Sequence, residues 1–380
     1  MLLLERKISL EIGCIAGVTP GSTRMWPEIR AELTPIASNV ILARMQLRKD
    51  PITRSWVITG DDPEKDNLDT KIAPCRFCGG GQETLQVVGS VPSQAAPGWS
   101  ARSVVHPAPL YRIEGDPKRE GDGIYDRMRT VGAHEVLIEN PKHDHQLWNS
   151  SDTEIERFLS LAAQRIQDLK QDQRFKYVTV FKNHGAVAGQ DFAHPTSQLT
   201  ASTFVPRRVL HELRAGKDYY NQKERCVFCD ILMQELRQGS RIIETVGDFV
   251  ACCPYAPRAP YEIWILPQTH EASFERLALA HPANLKDLAN LLRRTLLRVR
   301  SLTEDFQMVL HTVPNTQHKS RALQYWKTID EDYHWHIEIL PILAGGRAKS
   351  YTFKEVYYTP ITPETAAARL RVVDIDREEE

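Results

Sequence analysis

The same succession of chemistry-bearing residues occurs twice in this chain, and that repetition constrains the fold more than any other feature. Cys75-Arg-Phe-Cys78 is followed by the apolar stretch HEVLIENPKH, which ends Pro141-Lys142-His143. Then come KYVTVFKNH and His194. Later, Cys226-Val-Phe-Cys229 is followed by YEIWILPQTH, which ends Pro267-Gln268-Thr269-His270. Then come FQMVLHTVP and Tyr333-His334-Trp335-His336. The order Cys-x-x-Cys, strand-Pro-x-His, strand, His-x-(Thr/His) is an internal duplication whose Pro-to-His step is one residue longer in the second copy. Each half is near the size of one domain.

The duplication carries metal-ligand chemistry. Met1-Leu2-Leu3-Leu4 runs at once into Glu5, Arg6 and Lys7, too short for a signal peptide, and a chain without an export signal favours metal over disulfides for paired cysteines. Two thiolates and two imidazoles per half make a closed tetrahedral set that suits zinc, and also iron. The expected sites are Cys75, Cys78, His143 and His194, with His145 and His134 as rivals of His143, and Cys226, Cys229, His270 and His334. Closed four-ligand sites are structural, so the chemistry falls to other groups. Cys14, Cys252 and Cys253 read as small buried apolar side chains.

A net charge of -1 and a pI near 6.9 give no footprint for nucleic acid or an anionic membrane surface. No apolar run approaches the roughly 18 residues of a membrane span, so a cytoplasmic protein is expected. A helical period runs from Asp152 to Asp172, capped by Ser151 or Asp152, and its counterpart from about Asn284 to Thr303. Each half thus reads as strands backed by one long helix, the strands sharing one sheet. Gly89 to Gly98 and Glu114 to Gly123 read as loops, and Arg377 to Glu380 as a charged tail. The expected division is a 1–46 extension, halves at 47–205 and 206–371, and a 372–380 tail.

Phe181 to Gln198, FKNHGAVAGQDFAHPTSQ, leads a strand into a glycine-containing loop that can turn N–H groups toward phosphate. Asn183, Gly189, Gln190, Asp191 and Gln198 are the candidate lining. His184 is the first base to test, and His311 reads as a satisfied core histidine.

Together with DPITRSWVI, HPTSQ, PYAPRAPYEIWILPQTH, YHWHIEILP and PETAAARLR, these motifs span about Leu47 to Arg371. The chain resembles the galactose-1-phosphate uridylyltransferase family of the histidine-triad superfamily, including its phosphorylase relatives acting on nucleotide sugars, dinucleoside polyphosphates or adenylylsulfate. The resemblance implies an α+β fold of duplicated histidine-triad-like halves sharing a mostly antiparallel sheet flanked by helices. It also implies a zinc-bearing homodimer and transfer of a nucleoside monophosphate through a nucleotidyl-histidine.

Three departures from the family stand out. Its His-Pro-His-x-Gln motif reads His194-Pro195-Thr196-Ser197-Gln198 here, so Thr196 takes the nucleophile's place. A hydroxyl needs an adjacent base to attack phosphorus. Asp191 puts a carboxylate where the family places a small hydroxyl residue against the phosphates. GGRAKSYTFKEVYYTP replaces the sugar-reaching segment, and Arg347, Lys349 and Lys354 there would favour an anionic acceptor. The candidate catalytic set is therefore Thr196, Gln198 and His336, the pseudo-symmetric counterpart of Thr196. The chain is expected to be a nucleotidyltransferase acting on a nucleotide or nucleotide sugar, by direct attack of the acceptor or through His336. The alternatives are an adenylyl-specific phosphorylase, or an inactive nucleotide-binding sensor.

Overall fold

Runs rich in β-branched and aromatic residues recur through both copies of the repeat, and nearly every one becomes a strand. A computed structural model describes residues 45–60, 75–78, 85–93, 98–317, 326–343 and 356–375, all within the unit Leu42–Glu380. Cys14, Arg347, Lys349, Lys354 and the charged tail lie outside the described residues, as does the 1–46 extension before Met45.

The first copy contains β1 (Gln46–Lys49), β2 (Trp56–Thr59), β3 (Val87–Pro92), β4 (Trp99–Val105), β5 (Glu120–Asp122), β6 (Tyr125–Arg129), β7 (Gly132–Ile138), α1 (Asp152–Leu169), β8 (Tyr177–His184) and β9 (Thr196–Ser202). The second contains α2 (Arg207–Lys223), α3 (Val227–Gln238), β10 (Ile242–Val246), β11 (Phe249–Cys252), β12 (Ile263–Pro267), α4 (Phe274–Ala280), α5 (Asn284–Arg300), β13 (Phe306–His311), α6 (Ile329–Asp332), β14 (His336–Pro341) and α7 (Pro363–Arg371).

Ten strands pair in the order β10-β11-β12-β14-β13-β8-β9-β7-β4-β3, each pair antiparallel. The order is palindromic: β3, β4, β7, β9 and β8 hold the places that β10, β11, β12, β14 and β13 hold from the other edge. The two copies meet where β8 pairs with β13, with Asn183 opposite Gln307 and Phe181 opposite Val309. This is the α+β fold of duplicated halves sharing an antiparallel sheet. A separate four-stranded sheet runs β2-β1-β6-β5.

One face of the large sheet is covered by α1 and α5. Ser151 and Glu154 form a capping box at the start of α1, satisfying two amides that the first turn leaves unpaired. Ile155, Phe158, Leu159, Ala162, Ile166 and Leu169 form its buried stripe, and burying each larger one stabilises the fold by about 1.5–3 kcal/mol. The helix stops at Leu169 instead of Asp172, because Lys170 turns inward and its ammonium donates to Glu275 and to the Val313 carbonyl.

Side chains alternate between the faces of a strand. Glu135, Glu139, Lys182, His184 and Ser197 therefore point toward the helices, and Arg165 of α1 grips Glu135 through two hydrogen bonds of 2.7 and 2.8 Å. His134, Asn183, Thr196 and Gln198 lie on the opposite face, which we call the open face, and the registers put His311, His336 and Glu338 there too.

Three expectations need correction. Gly89–Pro92 belongs to the edge strand β3 and is not a loop; a Cβ at Gly89 would come within 2.8 Å of Arg165 Cδ, so glycine there reflects the crossing of α1. Glu120–Asp122, inside the expected 114–123 loop, pairs with β6 across a turn in which Gly123 has φ +60°. The second half also carries more than one long helix. In α2 only Val209, Leu213 and Gly216 are buried, so its apolar period is faint in the sequence.

Candidate functional site

Cys75, Cys78, His143 and His194 bring their Sγ and ring nitrogens within 4.8 Å of one another, and Cys226, Cys229, His270 and His334 do the same. In the first cluster Cys78 Sγ lies 3.4 Å from His143 Nδ1 and 3.5 Å from His194 Nδ1, with Cys75 Sγ 3.7 Å from His194 Nδ1. In the second, Cys229 Sγ lies 3.2 Å from His270 Nδ1 and 3.6 Å from His334 Nδ1. Tetrahedral zinc with its usual bond lengths separates sulfur from nitrogen by about 3.6 Å, so both donor sets fit such an ion.

Three of the four outer nitrogens are already committed. His194 Nε2 donates to the Asn140 carbonyl at 2.8 Å, His270 Nε2 to Asp330 at 2.8 Å and His334 Nε2 to Pro267 at 3.0 Å. Each bond fixes the tautomer that turns an Nδ1 lone pair inward. Burial pushes the His194 imidazole down to about 4, so it is neutral near pH 7. Hydrogen bonding from Cys229 draws the Cys226 thiol down, and that shared proton, together with burial, pushes Cys229 up. The middle phenylalanine of each Cys-x-x-Cys anchors its cluster: Phe77 packs edge-on against Phe192 at 4.9 Å, and Phe228 stacks on His336 at 5.1 Å. His134 and His145 do not join the first cluster. His134 bonds Gln198, and His145 contacts Lys142 and Asp144 on the surface.

On the open face Thr196 begins β9, two residues after the His194 ligand, and it and Asn183 are half-buried. His134 Nδ1 accepts the Leu110 N–H at 3.1 Å, so Nε2 carries the proton and donates to Gln198 Oε1 at 2.8 Å. Gln198 Nε2 donates to Asp191 Oδ2 at 2.6 Å. The Gln198 amide expected at phosphate is thus held between His134 and Asp191. The loop amides are also engaged: Gly185 N–H donates to Gln190 Oε1 at 2.8 Å, Val187 N–H to Asp305 Oδ1 at 2.8 Å and Gly189 N–H to the Ala186 carbonyl at 3.3 Å. Gln190 closes its own loop, and a Cβ at Gly185, whose φ is +87°, would collide with the Asp305 carboxylate.

Neither His184, the first base to test beside Thr196, nor His336, its counterpart and alternative nucleophile, lies beside it. His184 points to the helix face among Trp148 and Phe306, and burial pushes it down to about 4. His336 lies three strands away at the opposite end of the sheet, about 20 Å from Thr196 by strand geometry.

His336 belongs to a group that sequence reading missed: Glu212, His311, His336 and Glu338. His311 Nε2 lies 3.1 Å from Glu338, and its Nδ1 lies 3.3 Å from Glu212 at ion-pair range but without hydrogen-bond geometry. Burial would lower His311, but the two carboxylates overcome it and raise the imidazole to about 9. Burial and the charge of His311, stacked at 4.6 Å, push His336 down to about 4. Arg208 and Arg258 reach Glu338 at 3.1 and 2.6 Å. Two carboxylates and two imidazoles could hold a cation, yet the arginines and protonated His311 already balance the charge, which favours a closed ion-pair network. The spacing His336-x-Glu338 on one strand face was the available signal; Glu212 on α2 had none.

Comparison with known proteins places this geometry. Residues 125–203 match a family model described as the N-terminal domain of the domain of unknown function DUF4931. ADP-glucose phosphorylase of Arabidopsis thaliana is 30% identical over 346 residues, 87% of this chain and 93% of that protein. Galactose-1-phosphate uridylyltransferase of Thermotoga maritima is 24% identical over 341 residues, 87% of this chain and 99% of that protein. The crystal structure of an Arabidopsis thaliana ADP-glucose phosphorylase with bound ADP-glucose superimposes with a TM-score of 0.68 at 29% identity, covering 86% of this chain and 98% of that one.

Proposed function

Because the chain belongs to the family of galactose-1-phosphate uridylyltransferases and ADP-glucose phosphorylases, a nucleotidyltransferase family, we propose that it moves a nucleoside monophosphate from a nucleotide sugar to a phosphate-bearing acceptor without a covalent enzyme intermediate. The observation that carries this reading is the setting of Thr196: among the described residues, none of the imidazoles expected to serve as its base or in its place stands beside it. His184 is under the sheet, His336 is at the far end, and His134 is tied to Gln198 and Leu110. A threonine hydroxyl without a base does not attack phosphorus. An oxygen of the acceptor phosphate attacks the α-phosphorus instead, the α–β P–O bond breaks, and the sugar phosphate leaves with the bridging oxygen and its electron pair. The ADP-glucose in the Arabidopsis relative supports an adenylyl sugar as donor, with inorganic phosphate as acceptor and ADP and glucose 1-phosphate as products.

In this reading Thr196, Asn183 and Gln198 line the floor of the pocket, with Gly189, Gln190 and Asp191 on its loop. A phosphate that displaces Asp191 from Gln198 gains an amide donor for the charge that develops. Zinc in the two Cys/His sets would cross-link each half and hold His194-Pro195-Thr196 in place, with iron as the other candidate. We take the protein as a cytoplasmic homodimer, divided at 46, 205 and 371.

The test is a single turnover with ADP-glucose labelled at the α-phosphate. ADP should form with no acid-labile label on the protein, and Thr196→His should acquire such a label. Label on the unaltered protein would refute direct displacement, and absence of turnover with every donor and acceptor pair would refute the transferase reading.

A further inference from the structure

A second cleft lies away from the Thr196 pocket. The turn between β1 and β2, the start of α2 and the segment after β13 enclose a cleft of about 820 Å³, the size of a small-molecule site. Its described lining includes Lys49, Arg54, Lys176, Arg207 and Arg214 and no Asp or Glu. In a chain of net charge -1, five cations lining one concavity with no acidic side chain among its walls raise the local potential, and the low-dielectric walls focus it inward.

Nearby carboxylates offset part of it: Asp50, on the turn that frames the cleft, interacts with Arg207. Lys49 has Asp126 at 3.3 Å, and Lys176 donates to the Gln173 carbonyl at 2.9 Å. The guanidinium groups of Arg54 and Arg214 have no hydrogen bond or ion pair among the described residues, although the Arg54 backbone N–H donates to the Asp50 carbonyl at 2.8 Å. The 17-residue helix α2 starts at the cleft with no side-chain cap and no acidic residue in its first turn, which adds its N-terminal dipole to the same field. Trp56 and Trp326, both half-buried, supply flat apolar walls.

We propose that this cleft binds a nucleotide, its phosphates on Arg54 and Arg214 and its base against a tryptophan. Guanidinium forks match phosphate oxygens in pairs, and ring-on-ring stacking accepts any base. Phe204–Pro206 of the lining follow the end of β9, whereas Thr196 begins it, so the strand separates the two pockets by about 20 Å. The site is therefore distinct from the one that transfers the nucleotide, and both can be filled together.

Equilibrium dialysis of labelled ADP against the full chain reads this directly. Compared with the unaltered protein, Arg54→Glu/Arg214→Glu should bind one ADP fewer per chain, or hold that ADP at least about tenfold more weakly. Turnover of ADP-glucose at saturation should be unchanged, and an unshifted melting curve confirms folding. Arg54→Gln/Arg214→Gln should show an intermediate loss, as expected for a phosphate contact. Equal ADP binding by the unaltered and charge-reversed proteins would overturn the proposal. If the transferase reading fails instead, turnover is absent from both proteins while the difference of one ADP remains.

Discussion

The two halves occupy matching places in one sheet but build opposite interiors. Under β9 of the first half, Lys182 donates to both Glu139 oxygens at 2.9 and 3.0 Å, and Ser197 donates to the same carboxylate at 2.7 Å, all three nearly fully buried. The corresponding side chains of the second half are Leu310, Pro267 and Ile337. On the open face the contrast reverses. The second half gathers Glu212, His311, Glu338 and Arg258 there, His311 and Glu338 fully buried and Glu212 and Arg258 half-buried, whereas the first has neutral Asn183, Thr196 and Gln198, two of them half-exposed. A sheet can carry a buried ionic layer on either side. In the proposed function, the half whose open face is free of it is the one that admits the substrate.

The largest expected effect concerns the metal sets. Cys226→Ser should lower stability more than Cys78→Ser, because Cys226 and His334 are buried while Cys78 and His143 are partly open. With apparent metal-linked free energies on the order of 10 kcal/mol for structural zinc, loss of the second site should unfold much of the protein at ambient temperature. Elemental analysis should find one metal fewer per chain, and calorimetry should give that order of the two variants.

Next comes the layer beneath β9. Lys182→Leu strands a buried carboxylate and should cost about 3–5 kcal/mol in denaturant unfolding. Lys182→Leu/Glu139→Leu/Ser197→Ile, which copies the second half's apolar layer, should recover most of that loss. If the triple variant is no more stable than the single one, the halves are not interchangeable at this layer.

The charged network predicts a pH dependence. His311 is raised to about 9 in the fold, above its ordinary 6.5, so its contribution is fully present below about pH 6.5 and disappears as pH rises through 9. Unfolding free energies at pH 6 and pH 9.5 should differ by about 2–3 kcal/mol more in the unaltered protein than in His311→Gln. The smallest effect is expected at Thr196, which the sequence resemblance puts at the nucleophile's place. Thr196→Ala should change stability by less than about 0.5 kcal/mol and leave turnover of ADP-glucose within about tenfold. A thousandfold loss would restore Thr196 as a nucleophile.

Much of this could be read along the chain. The two clusters of sulfur and nitrogen donors follow from two spacings, and the Ser151 cap and the stripe of α1 follow from local periodicity. The expected ends at Asp172 and Thr303 run a few residues long, because Lys170 and Ser301 are turned by partners distant in sequence or by the closing turn. His184 seemed close to Thr196 because alternation along a strand is visible in sequence while the face turned toward a helix is not.

The sequence by itself determined the duplication, the two Cys/His sets and the threonine that follows His194-Pro195, since each depends on residue identity and short spacing. Tertiary structure alone decided that Gln198 is bound by Asp191 and His134, that Glu212 joins His311, and that Arg54 and Arg214 face one cleft. Those meetings depend on which strands pair and which way α2 turns. Both are settled by burial summed over the whole sheet.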